Sequence, residues 1–238
     1  MESRKEQRRN ETIAQIKLIA TQQMAEMGAT NISLRGIARQ MGLSAPALYR
    51  YFPNYEALIT ALIVDSYHSM ADAIESAEGE VARDDFGGRF LAGLHAMRDW
   101  ALVQPAEYML IQGTPIPGYE GPEAITRPAA QRSWRVMFIV LIEAQAAGKL
   151  KLPAEFQREL PNYAAFSELW SEQIGVPISV PLLHVALSSA ALINGLLIVE
   201  VSDRYPGVAA ETTLLELDLL RKRLGLPNPF DDKGEQNR

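Results

Sequence analysis

The sequence predicts an all-α protein in two parts, a short N-terminal head of three helices and a longer helical body. Three observations carry this. Apolar residues recur at steps of three or four along most of the chain, the spacing that gathers side chains on one helical face. No stretch alternates apolar and polar residues for long enough to build a sheet. Serine, glycine and proline fall at the ends of the periodic stretches, where caps and breaks belong. At 238 residues the chain exceeds what one core usually fills, so two modules are expected.

Taken in order, Ile13, Ile16, Ala20, Met24 and Met27 draw one apolar stripe along a first helix of about four turns that ends at Gly28, a left-handed C-cap. The residues before it, 1–9, read as a flexible basic arm. Ser33 is placed to cap a second helix that stops at Gly42. Ser44 is placed to cap a third, with Pro46 tolerated in its first turn and Leu48 and Phe52 on its buried side. Asn54 then caps a longer helix reaching about Ala77. Phe90, Leu94, Met97 and Ala101 make the next stripe, closed before Pro105, and the same period returns over residues 133–147. Between them residues 112–122 hold three prolines and three glycines and are expected to be an ordered loop. After Gly148 the pattern breaks into short pieces bounded by Pro153, Pro161, Pro177 and Pro181. A long apolar helix over 182–201 and an amphipathic one over 209–224 complete the body, and 227–238 reads as a frayed tail.

Bulk composition narrows the function. The first ten residues are charged and lack the apolar core of a secretory signal, there is no cysteine, and no apolar run reaches the ~18 residues of a membrane span, so a cytoplasmic protein without a membrane partner is expected. The formal net charge of −6 argues on its face against a nucleic-acid partner. Its distribution reverses that reading. Residues 1–60 carry eight basic and five acidic groups, a balance of +3, while the remainder carries −9. A positive head on an acidic body is the charge footprint of a DNA-binding module attached to a sensor.

A serine-capped helix, a glycine turn and a second short helix, with the small Ala38 where they cross, make a helix-turn-helix over residues 33–52. Its surface carries Tyr49, Arg50 and Tyr51 with Arg35 and Arg39 nearby, and exposed aromatic and cationic groups in one patch suit phosphate contact better than folding.

These residues resemble the tetracycline-repressor (TetR) family of transcriptional regulators. The resemblance rests on Met27-Gly28-Ala29, then Ser33-Leu34-Arg35-Gly36-Ile37-Ala38-Arg39-Gln40-Met41-Gly42-Leu43-Ser44, then Ala47-Leu48-Tyr49-Arg50-Tyr51-Phe52-Pro53-Asn54, then Glu56-Ala57-Leu58. It implies a helix-turn-helix DNA-binding domain over 10–65 and a helical ligand-binding and dimerisation domain over 66–226. It further implies a homodimer on double-stranded DNA at a palindromic operator, released by a small hydrophobic effector, so that the protein acts as a repressor. Ser33, Ser44, Tyr49 and Tyr51 are then placed for phosphate oxygens, and Arg35 for guanine O6 and N7. Ala45, Pro46 and Ala47 offer no side-chain donors and are expected against thymine methyl groups, with Arg50 as a further polar contact. Arg39 reads as solvated surface. Tyr55 stands where the family usually has a phosphate-binding lysine and is expected to give one uncharged hydrogen bond in its place.

In the body, Pro105-Ala106-Glu107-Tyr108-Met109-Leu110-Ile111 and Leu192-Ile193-Asn194-Gly195-Leu196-Leu197-Ile198-Val199-Glu200 resemble the WHG-type subgroup of TetR C-terminal domains, with Asn194 in place of its histidine. The last two long helices are expected to form the dimer interface, with Leu192, Asn194, Gly195, Ile198, Leu215 and Leu219 as candidates. Candidate effector contacts are Phe90, Leu94, Met97, Trp100, Tyr108, Trp134, Phe138, Phe166 and Trp170, although each taken alone reads more readily as core. No metal site or cofactor is expected from three isolated histidines without cysteine. An enzyme is the rival class, but neither a glycine-rich phosphate loop nor a Gly-x-Ser-x-Gly elbow occurs. An architectural DNA binder is the other rival, and the −9 body speaks against it.

Overall fold

The computed structural model describes residues 3–113, 115–157 and 160–227. Among these, ten α-helices and two short 3₁₀ turns follow one another, and no strand occurs. Helix α1 spans Arg4–Met27, α2 Leu34–Gln40, α3 Ala45–Tyr49, α4 Tyr55–Gly79, α5 Phe86–Val103, α6 Pro105–Gln112, α7 Glu123–Ala146, α8 Pro161–Ile174, α9 Val180–Val201 and α10 Val208–Arg223. They gather into two compact units, one running through Ser69 and including Gln104–Ala130, the other Met70–Val103 with the chain from Gln131 onward. The all-helical class is as expected, but this division departs from the contiguous 10–65 and 66–226 read from the sequence. The expected tail lies outside the described residues beyond Pro227.

The head is built on a core of Ile16, Ala20 and Met24 from α1, Leu34, Ile37 and Ala38 from α2, Leu48 and Phe52 from α3 and its exit, and Leu58, Ile59 and Leu62 from α4, each under a tenth exposed. Burial of each large side chain contributes about 1.5–3 kcal/mol, which is what orders a five-residue helix such as α3. Segment 104–130 joins this unit because Ala106, Leu110, Ile116 and Tyr119 pack on the same core and α6 lies on α1. Two hydrogen bonds fix it further. The Tyr119 and Thr60 hydroxyls lie 2.8 Å apart, and the Tyr67 hydroxyl donates to the Ile111 carbonyl at 3.2 Å.

Residues 4–9, expected as a flexible arm, are instead the first turns of α1. The cause is local: Ser3 Oγ accepts from the Glu6 amide at 3.2 Å while a Glu6 carboxylate oxygen accepts from the Ser3 amide at 2.8 Å, a reciprocal capping box. Proline accounts for three other departures. Pro105 and Pro161 open α6 and α8 at a position where no amide is needed, and Pro128 lies within α7, which starts ten residues earlier than the periodic stripe over 133–147.

In the second unit α9 packs against α8, α10 and α5, burying Leu182, Leu183, Val185, Ile193 and Leu197. By length and composition α9 could cross a membrane, with a mean hydropathy of 2.0 and 28% of its most apolar window buried. The uninterrupted apolar run is nonetheless shorter than ~18 residues, because His184, Ser188, Ser189 and Asn194 punctuate it, and one such helix is weak evidence of a span. Buried ion pairs cross this unit. Arg98 Nε bonds both carboxylate oxygens of Glu200 at 3.0 and 3.1 Å, tying α5 to α9. Arg89, 1% exposed, reaches Glu78 at 2.5 Å, Glu143 at 2.6 Å and the Arg83 carbonyl at 3.0 Å. Gly87 lets the C-terminal segment pass, since a Cβ there would lie 1.7 Å from the Pro227 carbonyl oxygen.

Candidate nucleic-acid interface

The turn between α2 and α3 closes on Gly42, whose φ of +67° is open to glycine at little cost. The Leu43 amide reaches back to the Ala38 carbonyl at 2.8 Å, the long bond of a Schellman closure. Ala38 is 2% exposed, so a larger side chain there would hold α2 and α3 apart. This closure leaves the N-terminal end of α3 facing outward beside the exposed face of α2.

At the start of α2, Ser33 does cap: its Oγ accepts from the Gly36 amide at 3.1 Å, and its own amide donates to Gln23 Oε1 at 3.0 Å. Ser44 does not cap as expected. Pro46 removes one of the amides a capping hydroxyl would take, and the Ala47 amide turns to the Ser44 carbonyl at 2.9 Å. The Ser44 hydroxyl, exposed, has no partner among the described residues.

Arg35, Tyr49 and Arg50 are exposed and likewise without an ion pair or hydrogen bond among the described residues, as is Arg39. An exposed arginine left unpaired costs the fold nothing and keeps all its donors for an outside group. Pro46 is exposed and Ala45 and Ala47 half-exposed, so the leading turn of α3 presents only methyl and methylene groups. Tyr51 is half-buried, with the Arg9 guanidinium 5.8 Å from its ring centre. Tyr55 is placed differently from the expectation. Its hydroxyl donates to the Ala29 carbonyl at 2.7 Å, in the 3₁₀ turn that links α1 to α2, and burial pushes its pKa up. The proton a phosphate would need is spent inside the head.

Sequence reasoning missed the basic face of the first turns of α1. Arg4, Lys5, Arg8, Arg9 and Thr12 line a groove of about 750 Å³ with Arg50 and Tyr51. The signal was the Ser3-x-x-Glu6 pattern, which turns a charged tail into a rigid helix.

In the second unit, Phe90, Leu94, Met97, Trp100 and Phe138, like Tyr108 in the first, are all under a tenth exposed and serve as core. Trp170 stacks at a tilt between Phe138 and Phe166, at 5.0 and 5.8 Å. None of the nine expected effector contacts, Trp134 included, lines the cavity described here. That cavity, about 660 Å³, is walled by Gln145, Leu152, Gln157, Leu160, Pro161, Ala164, Ser179, Val180 and Pro181. One turn beyond Val180 and Pro181, His184 packs edge-on against Phe156 and Tyr163, and its Nδ1 is buried without a hydrogen-bond partner. The expected dimer contacts Leu192, Gly195, Leu215 and Leu219 are exposed, and Asn194 and Ile198 half-exposed, on the sides of α9 and α10 away from their buried faces.

Comparison with known proteins agrees with this architecture. Residues 19–62 match the family described as bacterial regulatory proteins, tetR family, and residues 90–220 match the tetracyclin repressor-like C-terminal domain. Helix-turn-helix-type transcriptional regulators of Mycobacterium bovis (Mb1846) and Mycobacterium tuberculosis (Rv1816) are each 30% identical over 216 residues, covering 87% of this chain and 92% of theirs. A crystal structure of the regulatory protein SCO4313 superposes with a TM-score of 0.70 at 36% identity, covering 90% of this chain and 97% of that one. A Rhodococcus sp. RHA1 protein, 21% identical with a TM-score of 0.67 and covering 90% of this chain and 95% of its own, shares the fold. With an N-terminal and a C-terminal family domain matched in order along the chain and a helix-turn-helix at its head, the protein belongs to the TetR family of bacterial transcriptional regulators.

Proposed function

We propose that this regulator binds a palindromic operator as a homodimer, represses transcription there, and is released when a small hydrophobic effector fills its second unit. The observation that carries the DNA reading is the surface of α2 and α3, where Arg35, Ser44, Tyr49 and Arg50 are exposed and unpartnered around a donor-free turn. Arg35 is the base reader, gripping guanine with two bonds, and Ala45, Pro46 and Ala47 lie against thymine methyls. Ser33, Ser44, Tyr49 and Tyr51 meet phosphate oxygens and set the register, with Arg50 as a further polar contact. Tyr55 supports the α1 to α2 link and is not among the contacts.

For the effector, the cavity by α8 and α9 supports the reading better than the aromatic core does. Its size falls in the range of small-molecule sites, its wall is apolar, and the amides of Gln145 and Gln157 with the Ser179 hydroxyl provide a few polar handles. Homodimerisation is supported by the apolar outer faces of α9 and α10, which have no partner within the described chain.

Selection of binding sites from a random duplex library tests the DNA reading: enrichment of an inverted repeat with guanine at matched positions in both half-sites is expected. Enrichment of nothing, or of a motif indifferent to Arg35→Ala, would overturn it. Thermal-shift screening with hydrophobic metabolites, followed by Ala164→Trp to fill the cavity, tests the effector site. A stabilising compound should lose its effect in that variant while operator binding persists.

A further inference from the structure

Helix α1 extends beyond the core of the head. Its buried side chains begin at Ile16, and the turns before that carry Arg4, Lys5, Arg8 and Arg9. At 3.6 residues per turn these four fall within an arc of about 140° that continues toward the face on which Ile16 is buried, with Glu6 and Glu11 outside it. A helix face that turns inward normally trades apolar groups for other apolar groups. Here it trades them for positive charge, and what lies across the groove is again basic, Arg50 at the end of α3.

Arg4, Lys5, Arg8 and Arg50 have no ion pair or hydrogen-bond acceptor among the described residues, so nothing in the described protein neutralises them. The arrangement is also rigid. The Ser3 and Glu6 capping box fixes the end of the helix, the Thr12 hydroxyl donates to the Arg8 carbonyl at 2.8 Å, and the Arg9 guanidinium sits over Tyr51. Holding like charges together in a preorganised groove costs free energy in the free protein, and a polyanion returns it.

From this we infer that the groove between the start of α1 and the exit of α3 is a second DNA site, which takes the phosphodiester backbone flanking the bases read by the helix-turn-helix. The inference rests on the regulator reading for its biological partner, but its physical content is phosphate binding without sequence preference. Arg4, Lys5 and Arg8 each engage a phosphate, while Arg9 and Tyr51 form the wall.

The test compares wild type with the triple variant Arg4→Gln/Lys5→Gln/Arg8→Gln, which keeps the capping box and alters only exposed side chains. A control variant, Arg135→Gln/Lys149→Gln/Arg204→Gln, removes the same charge from exposed sites in the second unit. Affinity is measured across a salt series on two duplexes, one extending a full helical turn beyond a site selected from a random library and one of scrambled sequence. Losing three phosphate contacts should make the slope of log affinity against log salt shallower by about 2.7 on both duplexes. Over a fourfold rise in salt, wild type should therefore lose about 40-fold more affinity than the triple variant. The ratio of selected to scrambled affinity should stay unchanged, and the control should keep the wild-type slope.

Equal slopes in wild type and triple variant, or an equal change in the control, would overturn the second site. So would binding of anionic phospholipid vesicles by the groove with no change in the DNA slope. Failure of the regulator reading is distinct: wild type would then show no preference for the selected duplex, while the slope difference on scrambled DNA would still decide the groove.

Discussion

Arg35 and Tyr55 are two polar side chains of one head, one exposed and unpaired and proposed to read a base, the other bonded to the Ala29 carbonyl. Arg35 has no structural duty, so Arg35→Ala should leave the melting temperature unchanged. It should also relax the guanine preference by about 1–3 kcal/mol, roughly 5- to 150-fold in competitive binding of operator duplexes. Tyr55→Phe should do the reverse. Loss of the bond to the Ala29 carbonyl should lower stability by about 1 kcal/mol in urea denaturation, with the salt dependence of DNA binding untouched. A shallower salt slope in that variant would return Tyr55 to the phosphate contacts. Burial raises the pKa of Tyr55, Tyr67 and Tyr108, all in the head unit, so the folded chain keeps protons that the unfolded chain gives up. Their stabilising share is complete below about pH 10, the ordinary tyrosine value, and is lost as pH rises through the higher folded values. Urea midpoints followed with tyrosinate absorbance should fall above that pH and hold steady below it, and the fall should shrink in the double variant Tyr55→Phe/Tyr67→Phe.

At the scale of elements, the long amphipathic helices and the helix-turn-helix were legible because periodicity and capping act over adjacent residues. Ile16, Ala20 and Met24 announce α1, and Ser33 and Gly42 bound α2. What escaped was punctuation with two meanings. Pro105 and Pro161 read as breaks and are also helix openers, and Ser3 with Glu6 read as tail and are a cap. At the proposed interface, the exposure of Arg35 and Tyr49 was legible, because neither lies on the apolar stripe of its short helix. The role of Tyr55 was illegible, because its acceptor lies twenty-six positions away in the chain. The same limit applies to Arg89, a charge on the buried stripe of α5 whose partners Glu78 and Glu143 belong to α4 and α7. Truncation to Arg89→Ala removes the buried cation of the Glu78 carboxylate, itself 8% exposed, and leaves it only the solvent-exposed Arg83 guanidinium as an ion-pair partner. A loss of about 3–5 kcal/mol in denaturant unfolding is expected. Adding Glu78→Gln should recover part of it, whereas equal losses in the single and double variants would mean that the cavity, not the stranded charge, sets the cost.

For the whole molecule, the proposed reading of an inverted repeat requires two heads held by one interface, since a two-fold operator demands a two-fold protein. The faces available for this are the outer sides of α9 and α10, where Leu215 is 58% and Leu219 38% exposed although both are leucines on a helix whose other side buries Leu217 and Leu220. Gly195 on α9 has open space where a Cβ would point, so a partner's helix can approach its backbone closely. Replacing Leu215 and Leu219 together by glutamate puts charge on that face without touching the internal core. The double variant should keep its helical circular dichroism and become monomeric in sedimentation velocity. Its affinity for the full inverted repeat should fall to nearly that for a single half-site, because the second head no longer binds at high effective concentration. A variant that stays dimeric would move the interface elsewhere. One that becomes monomeric yet still prefers the full repeat would show that the two heads are held together by the DNA itself.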